Sequence, residues 1–300
     1  MNNRVDIILP TYNTNILLFK RAVDSIIRQT FREWTLYIVQ DGGEISLSDI
    51  VQNFKDGRIV FNNLYHVGKA AAVNIALKQG SGKYIAYLDD DDLWYPRHLE
   101  VAVGTMNENG VRFVHTDAYE IFVRKENSNL REISRNILNR GSLSDYLLWY
   151  VSHINTVHER ALLDHAGYYD ESRKIFIDWD MLLRLARVTK PLHIPIVTCE
   201  HYIYLSDDNK KENTISQMHT NDPQDSKRLH EEMFKRAFEL LSPDEFVQIM
   251  WELLKKTNQL INIQTGQKNI PTPPPAASFE KGPLATQSIF RLLTEWLKKK

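Results

Sequence analysis

Four consecutive aspartates follow directly after an apolar run of β-branched and aromatic residues at 84–88. The run predicts a buried strand, and Pro96, two residues after Trp94, predicts the first turn of a helix. Open α/β sheets bind their ligands at the carboxyl ends of strands, which is where this acidic cluster lies. Because neighbouring carboxylates repel one another unless a cation or proton neutralises them, and oxygen ligands suit Mg²⁺ or Mn²⁺, we expect a divalent-metal site. The alternative is an acidic surface turn.

Strand and helix patterns alternate through the first hundred residues, which predicts an α/β fold with a mostly parallel mixed sheet flanked by helices. Strands are predicted at 5–9, 34–39, 58–61 and 84–88, and helices at 18–27, 48–54 and 68–77. The alternation ends at residue 111. Beyond it we predict strands at 111–115, 119–123, 153–157 and 192–199, a polar loop at 125–140, and helices at 142–149, 159–166 and 178–187.

The last third of the chain predicts a C-terminal helical extension. A polar loop at 206–225 precedes helices at 227–241 and 246–260, a proline-rich linker at 271–275 and an amphipathic helix at 289–297 that ends in three lysines. The predicted domains are 1–215, with halves 1–110 and 111–215, then a helical segment 216–262, a linker 263–285 and a helix 286–300. That last helix would dock on a membrane surface, a partner or a second copy of the chain, unless it packs on its own subunit.

Composition narrows the class of protein. The formal net charge of the 300 residues is −1, so nothing argues for nucleic acid as a partner. Cys199 is the single cysteine, which excludes an internal disulfide and favours a reducing compartment. The first residues lack a signal-peptide core, and no apolar stretch approaches the roughly 20 residues that span a bilayer. We expect a cytoplasmic protein, with peripheral attachment at the inner face of the membrane as the alternative.

Five short motifs occur in one order along the chain: Pro10-Thr11-Tyr12-Asn13, Asp41-Gly42, Gly68 with Asn74, Asp89-Asp90-Asp91-Asp92 before Trp94, and Asp178-Trp179-Asp180 before Arg184. In this order they resemble family 2 glycosyltransferases over about residues 5–205. The resemblance implies a GT-A fold and transfer of a sugar from a nucleotide sugar, typically a UDP-sugar, to a hydroxyl of a glycan or lipid-linked glycan. It also implies inversion at the anomeric carbon, a divalent metal (Mn²⁺ or Mg²⁺) and bacterial polysaccharide assembly as the setting.

The resemblance also implies residue roles in the donor site. Asp41 would accept a hydrogen bond from the uracil imide N–H, and Asp91 would hold the metal that bridges the diphosphate. The other residues assigned to the nucleotide sugar are Pro10, Thr11, Tyr12, Asn13, Gly68, Lys69, Asn74, Asp89 and Asp90. Each has a plainer structural role as the alternative, such as a turn, a strand-ending loop or a solvated helix lysine.

In the acceptor half, Asp178 aligns with the family's general base, which removes the proton of the acceptor hydroxyl. Asp180 is the second candidate, although two residues along a helix it points elsewhere. The alternative is that both aspartates merely favour a helix N-terminus. Trp94, His153, Trp179 and Asp180 are the residues expected to line the acceptor or sugar pocket.

The chain departs from the family pattern at Gln40, Val73 and Ile177, where relatives often carry aspartate, arginine and glutamate. The departures at Val73 and Ile177 support the non-enzymatic alternative, a glycan- or nucleotide-sugar-binding module without turnover, whereas at the first site Asp41 is the position that matters. A sugar nucleotidyltransferase is a further alternative, but residues 10–15 lack the glycine-rich phosphate loop it would need. His66, His201 and His219 are additional candidates for acceptor or metal contacts, and the alternative for each is a solvated histidine.

Overall fold

The computed structural model describes residues 3–126, 129–138, 152–173, 176–205 and 236. Apart from residue 236, these belong to one compact unit, Met1–Met233. Apart from residue 236, the elements predicted at 142–149, 206–225 and 227–300 lie outside the described residues, so the domain boundaries and the docking of the last helix stay predictions. Within the described ranges, no helix is both long and apolar enough to cross a bilayer.

The first part of the chain confirms the predicted alternation. Its strands are β1 (Val5–Thr11), β2 (Trp34–Asp41), β3 (Ile59–Leu64) and β4 (Tyr84–Tyr87), and its helices are α1 (Ile16–Ile27), α2 (Ser48–Gln52) and α3 (Lys69–Gln79). The strands are parallel in the order β3-β2-β1-β4. Asn15 caps α1, since its side-chain oxygen accepts from the backbone N–H of Leu17 at 2.9 Å.

The remaining described elements complete a mixed sheet. They are β5 (Leu93–Trp94), α4 (His98–Asn109), β6 (Phe113–Glu126), β7 (Asn129–Leu138), β8 (Thr156–Glu159), α5 (Leu163–Ala166), α6 (Ile177–Val188) and β9 (Leu192–Leu205). The strand order is β3-β2-β1-β4-β8-β6-β9-β5, with β7 attached to β6. Strand β8 runs antiparallel to β4 and β6, whereas β9 runs parallel to β6.

Three sequence predictions in this half are wrong. The segment expected as a polar loop at 125–140 contains β7, which pairs antiparallel with β6. The two strands expected at 111–115 and 119–123 are one strand, β6. The strand expected from residue 153 begins at 156, after a 3₁₀ turn at His153–Asn155. The side chains of residues 131–137 are exposed, so cross-strand backbone pairing outweighs the polar composition that predicted a loop.

Two apolar layers cover the sheet. Side chains alternate between its faces, so Ile7 packs with the layer of α1 and α4, and Ile8 with the layer of α3 and α6. Both β1 residues are fully buried. With both faces covered, the polar residues that end β1, β2 and β4 lie together at the carboxyl edge of the parallel strands.

Candidate active site

A pocket of about 250 Å³ lies at the carboxyl ends of β1 and β2. Strand register places Thr11 opposite Gln40 there. The lining residues are Thr11, Asn13, Thr14, Gln40, Glu44, Ile45 and Leu47. Burial raises the pKa of Asp90 to about 6, and the nearby side chains of Thr11 and Thr14 partly offset that rise, so this pocket adjoins the acidic end of β4.

Gln40 shapes the wall of the pocket. Its amide nitrogen donates to the carbonyls of Gly42 at 3.2 Å and Ile45 at 2.6 Å, and its amide oxygen accepts from the N–H of Leu47 at 2.9 Å. Gly43, at φ +110°, could not carry a side chain because a Cβ would lie 2.8 Å from Asn13 Oδ1. From the sequence alone, Gln40 was identified only as a departure from the family pattern. A polar residue at the end of a predicted apolar strand was the available signal for its structural role.

Asp41 is buried at the end of β2, where its carboxylate holds the start of α3. Its two oxygens accept from the backbone N–H groups of Val67 at 2.6 Å and Gly68 at 2.9 Å. His66 Nδ1 lies 3.0 Å from the same carboxylate, and the His66 ring stacks on Tyr12 at 4.4 Å. Each carboxylate oxygen has a second lone pair, so the predicted contact of Asp41 with a nucleobase stays a prediction.

Four residues from separate elements meet near the carboxyl edge of the parallel strands. The Lys69 ammonium lies 3.0 Å from Asp89 Oδ1 and 2.9 Å from Asp178 Oδ2. His153 Nε2 lies 3.4 Å from Asp89 Oδ1, and its Nδ1 lies 3.1 Å from Asp178 Oδ2. Lysine and histidine therefore both contact the carboxylate that the sequence assigned as general base. We call Lys69, Asp89, His153 and Asp178 the lysine–histidine cluster.

The cations and carboxylates of the cluster stabilise one another's ionised forms. Burial by itself raises the pKa of Asp89 and Asp178, but the positive charges of His153 and Lys69 outweigh burial and lower both values below the usual range. Burial likewise disfavours the His153 cation, but Asp178 and Asp89 outweigh it and raise the pKa of His153 to about 9. At neutral pH the cluster thus contains two carboxylates and two cations.

The next aspartates have different surroundings. Burial and the charges of Asp92, Asp90 and Asp89 raise the pKa of Asp91 well above its usual range. Asp92 is buried and accepts from the N–H of Tyr202 at 2.8 Å, and His201 Nδ1 lies 3.0 Å from it. Burial disfavours the His201 cation, but Asp92 outweighs it and raises the pKa of His201 to about 9.

Arg21, a residue that the sequence reasoning missed, fixes the backbone beside these carboxylates. Its Nη2 donates to the carbonyl of Asp91 at 2.5 Å, and its guanidinium lies 4.1 Å from the centre of the Tyr202 ring. No pattern in the sequence marks this arginine, because Asp91 and Tyr202 are distant from it along the chain.

The residues fit a divalent cation at Asp91. This carboxyl is crowded by three others, and a bound cation would relieve the repulsion that raises its pKa. Asp89, His153 and Asp178 also offer ligand atoms within 4.8 Å of one another. In that group, however, the Lys69 ammonium already contacts two of the three residues, so a metal ion there would have to displace it.

Asn74 has a clear structural role. Its amide donates to the Tyr169 carbonyl and accepts from the Tyr169 N–H, both at 2.9 Å, and donates to Glu171 Oε1 at 2.8 Å. The side chain is buried and ties α3 to the segment that precedes α6. A direct contact between Asn74 and a donor stays a prediction.

The predicted pocket residues other than His153 have buried partners. Trp94 Nε1 donates to the Ile154 carbonyl at 2.7 Å. The Asp180 carboxylate is fully buried, 2.8 Å from Arg184 Nε and 3.4 Å from Arg173 Nε, and Trp179 is buried beside it. The structure therefore brings His153 to the base and gives Trp94, Trp179 and Asp180 contacts in the core. Their role in an acceptor pocket stays a prediction.

The remaining sequence candidates are placed as follows. Val73 and Ile177, two departures from the family pattern, are buried in the apolar layer of α3 and α6. Pro10 is part of β1 and pairs with Val39 of β2. His219 lies outside the described residues.

Comparison with known proteins finds related sequences. The sequence model of the family described as Glycosyl transferase family 2 matches residues 6–166. The chain is 36% identical over 118 residues to the Escherichia coli protein UDP-Glc:alpha-D-GlcNAc-diphosphoundecaprenol beta-1,3-glucosyltransferase WfgD, a match covering 39% of this chain and 46% of WfgD. The uncharacterized glycosyltransferase YwdF of Bacillus subtilis is 28% identical over 208 residues, which cover 68% of this chain and 75% of YwdF.

Solved structures share the fold. S. aureus TarS in complex with UDP-GlcNAc superposes with a TM-score of 0.62 at 17% identity, covering 84% of this chain and 71% of that chain. Its complex with UDP gives a TM-score of 0.60. These neighbours confirm the expected GT-A fold, a curled mixed sheet flanked by helices.

Proposed function

The chain belongs to glycosyl transferase family 2, and we propose that it moves a sugar from a UDP-sugar to a hydroxyl group of a glycan or lipid-linked glycan, with inversion at the anomeric carbon. The match to WfgD covers less than half of that protein. The identities of the donor and the acceptor are therefore proposed and do not follow from the match. The alternative is a sugar-nucleotide-binding module that has lost turnover.

The observation that carries the proposal is the meeting of Asp89 and Asp178 around one ammonium. Both carboxylates lie within 3.0 Å of Lys69 Nζ, although one follows β4 and the other lies in the first turn of α6. A transferase of this class needs its donor-side carboxylates and its base to face one cleft, because the reacting atoms must approach to about 3–3.5 Å. A mere binding module has no need for a buried base.

The donor half of the proposal rests on the pocket of about 250 Å³ and its surroundings. Asp41 and the Tyr12–His66 stack lie at the same strand ends, where an aromatic surface and a carboxylate acceptor suit a uracil ring. TarS has been solved with UDP and UDP-GlcNAc, and the name of WfgD gives UDP-glucose as its donor. These proteins support a UDP-sugar without identifying the sugar.

Asp178 is the proposed general base. Its carboxylate is only 2% exposed, and its ionised form is favoured by Lys69 and His153. It would accept the proton of the attacking hydroxyl while His153 Nδ1, 3.1 Å away, holds its orientation. A UDP leaving group needs no general acid, which is consistent with one carboxylate serving the transfer.

Asp91 is the proposed ligand of a divalent cation, Mg²⁺ or Mn²⁺. When bound, the cation would stabilise the negative charge on the departing diphosphate. The chain contributes a fixed backbone at this point, because Arg21 holds the Asp91 carbonyl and the Tyr202 N–H holds Asp92. Asp91 would thus be oriented before a donor arrives.

The proposed acceptor is a glycan carried on a lipid diphosphate, as in the name of WfgD. The test is to incubate the protein with Mn²⁺, a set of UDP-sugars and a short glycan on a lipid diphosphate, and to measure release of UDP. We expect acceptor-dependent release with at least one donor. Asp178→Asn should lose transfer while it still binds UDP, and Asp164→Asn, on the exposed side of α5, is the matched control. UDP binding without release by the unmodified protein would favour the binding module.

A further inference from the structure

Lys69 bridges the two carboxylates of the lysine–histidine cluster. Its ammonium lies 3.0 Å from Asp89 Oδ1 and 2.9 Å from Asp178 Oδ2. Asp178 Oδ2 therefore has two cationic neighbours, since His153 Nδ1 is 3.1 Å away. An oxygen engaged by both has less capacity to accept a hydrogen bond from an incoming hydroxyl.

The two cations differ in exposure. The Lys69 side chain is 29% exposed, whereas those of His153 and Asp178 are each 2% exposed. A ligand that enters the cleft can reach the ammonium without displacing the histidine. Of the two cationic contacts of Asp178, the lysine is therefore the more exposed and the histidine the more buried.

The backbone of Lys69 is anchored beside the proposed donor pocket. Lys69 is the first residue of α3, and the two N–H groups before it, on Val67 and Gly68, are held by the Asp41 carboxylate. Its backbone is fixed, while its four-carbon stem can turn the ammonium between partners. A helix N-terminus also favours anions, so an anionic donor group and the ammonium would meet here.

We propose that Lys69 exchanges partners when the donor binds, turning from Asp178 to the diphosphate of the nucleotide sugar. This rests on the proposed function. A diphosphate carries more negative charge than one carboxylate and competes for the ammonium. When the ammonium turns away, Asp178 Oδ2 keeps its contact with His153 and becomes available to the acceptor hydroxyl. Lys69 is thus a positioning residue through which donor binding prepares the base, and the donor binds before the acceptor.

The exchange predicts a specific pattern of ligand affinities. Lys69→Met should weaken binding of UDP by about tenfold, the loss of one charge-assisted contact. The same variant should leave the affinity for uridine, which has no phosphate, within about twofold of that of the unmodified protein. Lys69→Arg should restore part of the UDP affinity because it keeps the charge. Isothermal calorimetry with Mn²⁺ present measures all three.

A double-mutant cycle tests the competition itself. Asp178→Asn removes one partner of the ammonium, so it should tighten UDP binding several-fold. In the Lys69→Met background the same change should have a much smaller effect. If Asp178→Asn tightens UDP binding equally in both backgrounds, simple repulsion between Asp178 and the diphosphate is the cause, and the exchange is refuted.

Three further outcomes would refute the exchange, and they differ in what they leave standing. Equal losses of uridine and UDP affinity in Lys69→Met would mean that the lysine only supports the fold of the site. An unmodified protein that binds UDP no more tightly than Lys69→Met would refute the exchange and leave the proposed function intact. An unmodified protein that binds no UDP would refute the proposed function and the exchange together.

Discussion

Replacing Asn74 by alanine distinguishes a structural residue from a donor-binding residue. The amide of Asn74 makes two hydrogen bonds with the backbone of Tyr169 and one with Glu171. Alanine would leave a buried N–H and a buried carbonyl of Tyr169 without these partners. Each buried unsatisfied group costs about 1–3 kcal/mol, so the free energy of unfolding should fall by about 3 kcal/mol.

The chain offers a matched control for this substitution. Asn62 exchanges reciprocal amide hydrogen bonds with Gln79 at 3.0 and 2.9 Å, but that pair is exposed. Water replaces such bonds when they are removed, so Asn62→Ala should cost no more than about 0.5 kcal/mol. Equilibrium unfolding in urea, followed by tryptophan fluorescence, compares the two variants with the unmodified protein.

UDP affinity completes the comparison. If the role of Asn74 is to hold the segment before α6, UDP affinity should change by less than about twofold at a temperature where the variant is folded. A loss of stability as small as that of Asn62→Ala, together with a tenfold or greater loss of UDP affinity, would refute the structural role. That result would support the direct donor contact predicted from the sequence.

Three other predictions follow from the site. Asp178→Asn should lower the transfer rate by at least about 100-fold, measured as UDP release in a single turnover, because the proposed base is removed; retained transfer would exclude Asp178 as base. Asp91→Ala should abolish the gain in UDP affinity that Mn²⁺ provides, seen by calorimetry with and without the metal, and the exposed Asp49→Ala should keep it. His153→Gln should cost stability most in weakly acidic solution. The folded pKa of His153 is raised to about 9, above the roughly 6.5 of an unfolded histidine. Its attraction to Asp178 is therefore fully present below about pH 6.5 and is lost as the pH rises through 9, so the variant and the unmodified protein should converge in urea unfolding at pH 10.

The local spacing of apolar and polar residues made several features of the fold predictable. The parallel strands β1 to β4 and the helices between them follow from the spacing of apolar residues, because a strand or helix with one buried face repeats at its own period. The position of Asp89 at a strand end follows in the same way. The strand β7 was missed for the converse reason. Its exposed side chains carry little apolar signal, and its partner is another strand.

Partnerships between distant residues were decided only by the tertiary structure. No spacing relates Lys69 to Asp178, or Asn74 to Tyr169, yet each pair is in hydrogen-bond contact. Gln40 likewise looked like a lost aspartate until the loop that it holds was visible.

The sequence by itself therefore determined the class of fold, the edge of the sheet that carries the acidic residues, and the residue types available there. The tertiary structure decided which charged side chains lie close enough to neutralise one another. The physical reason is that strands and helices depend on neighbours along the chain, whereas electrostatic interactions depend on separations of a few ångströms in space. Packing of α3 and α6 on one face of the sheet sets those separations.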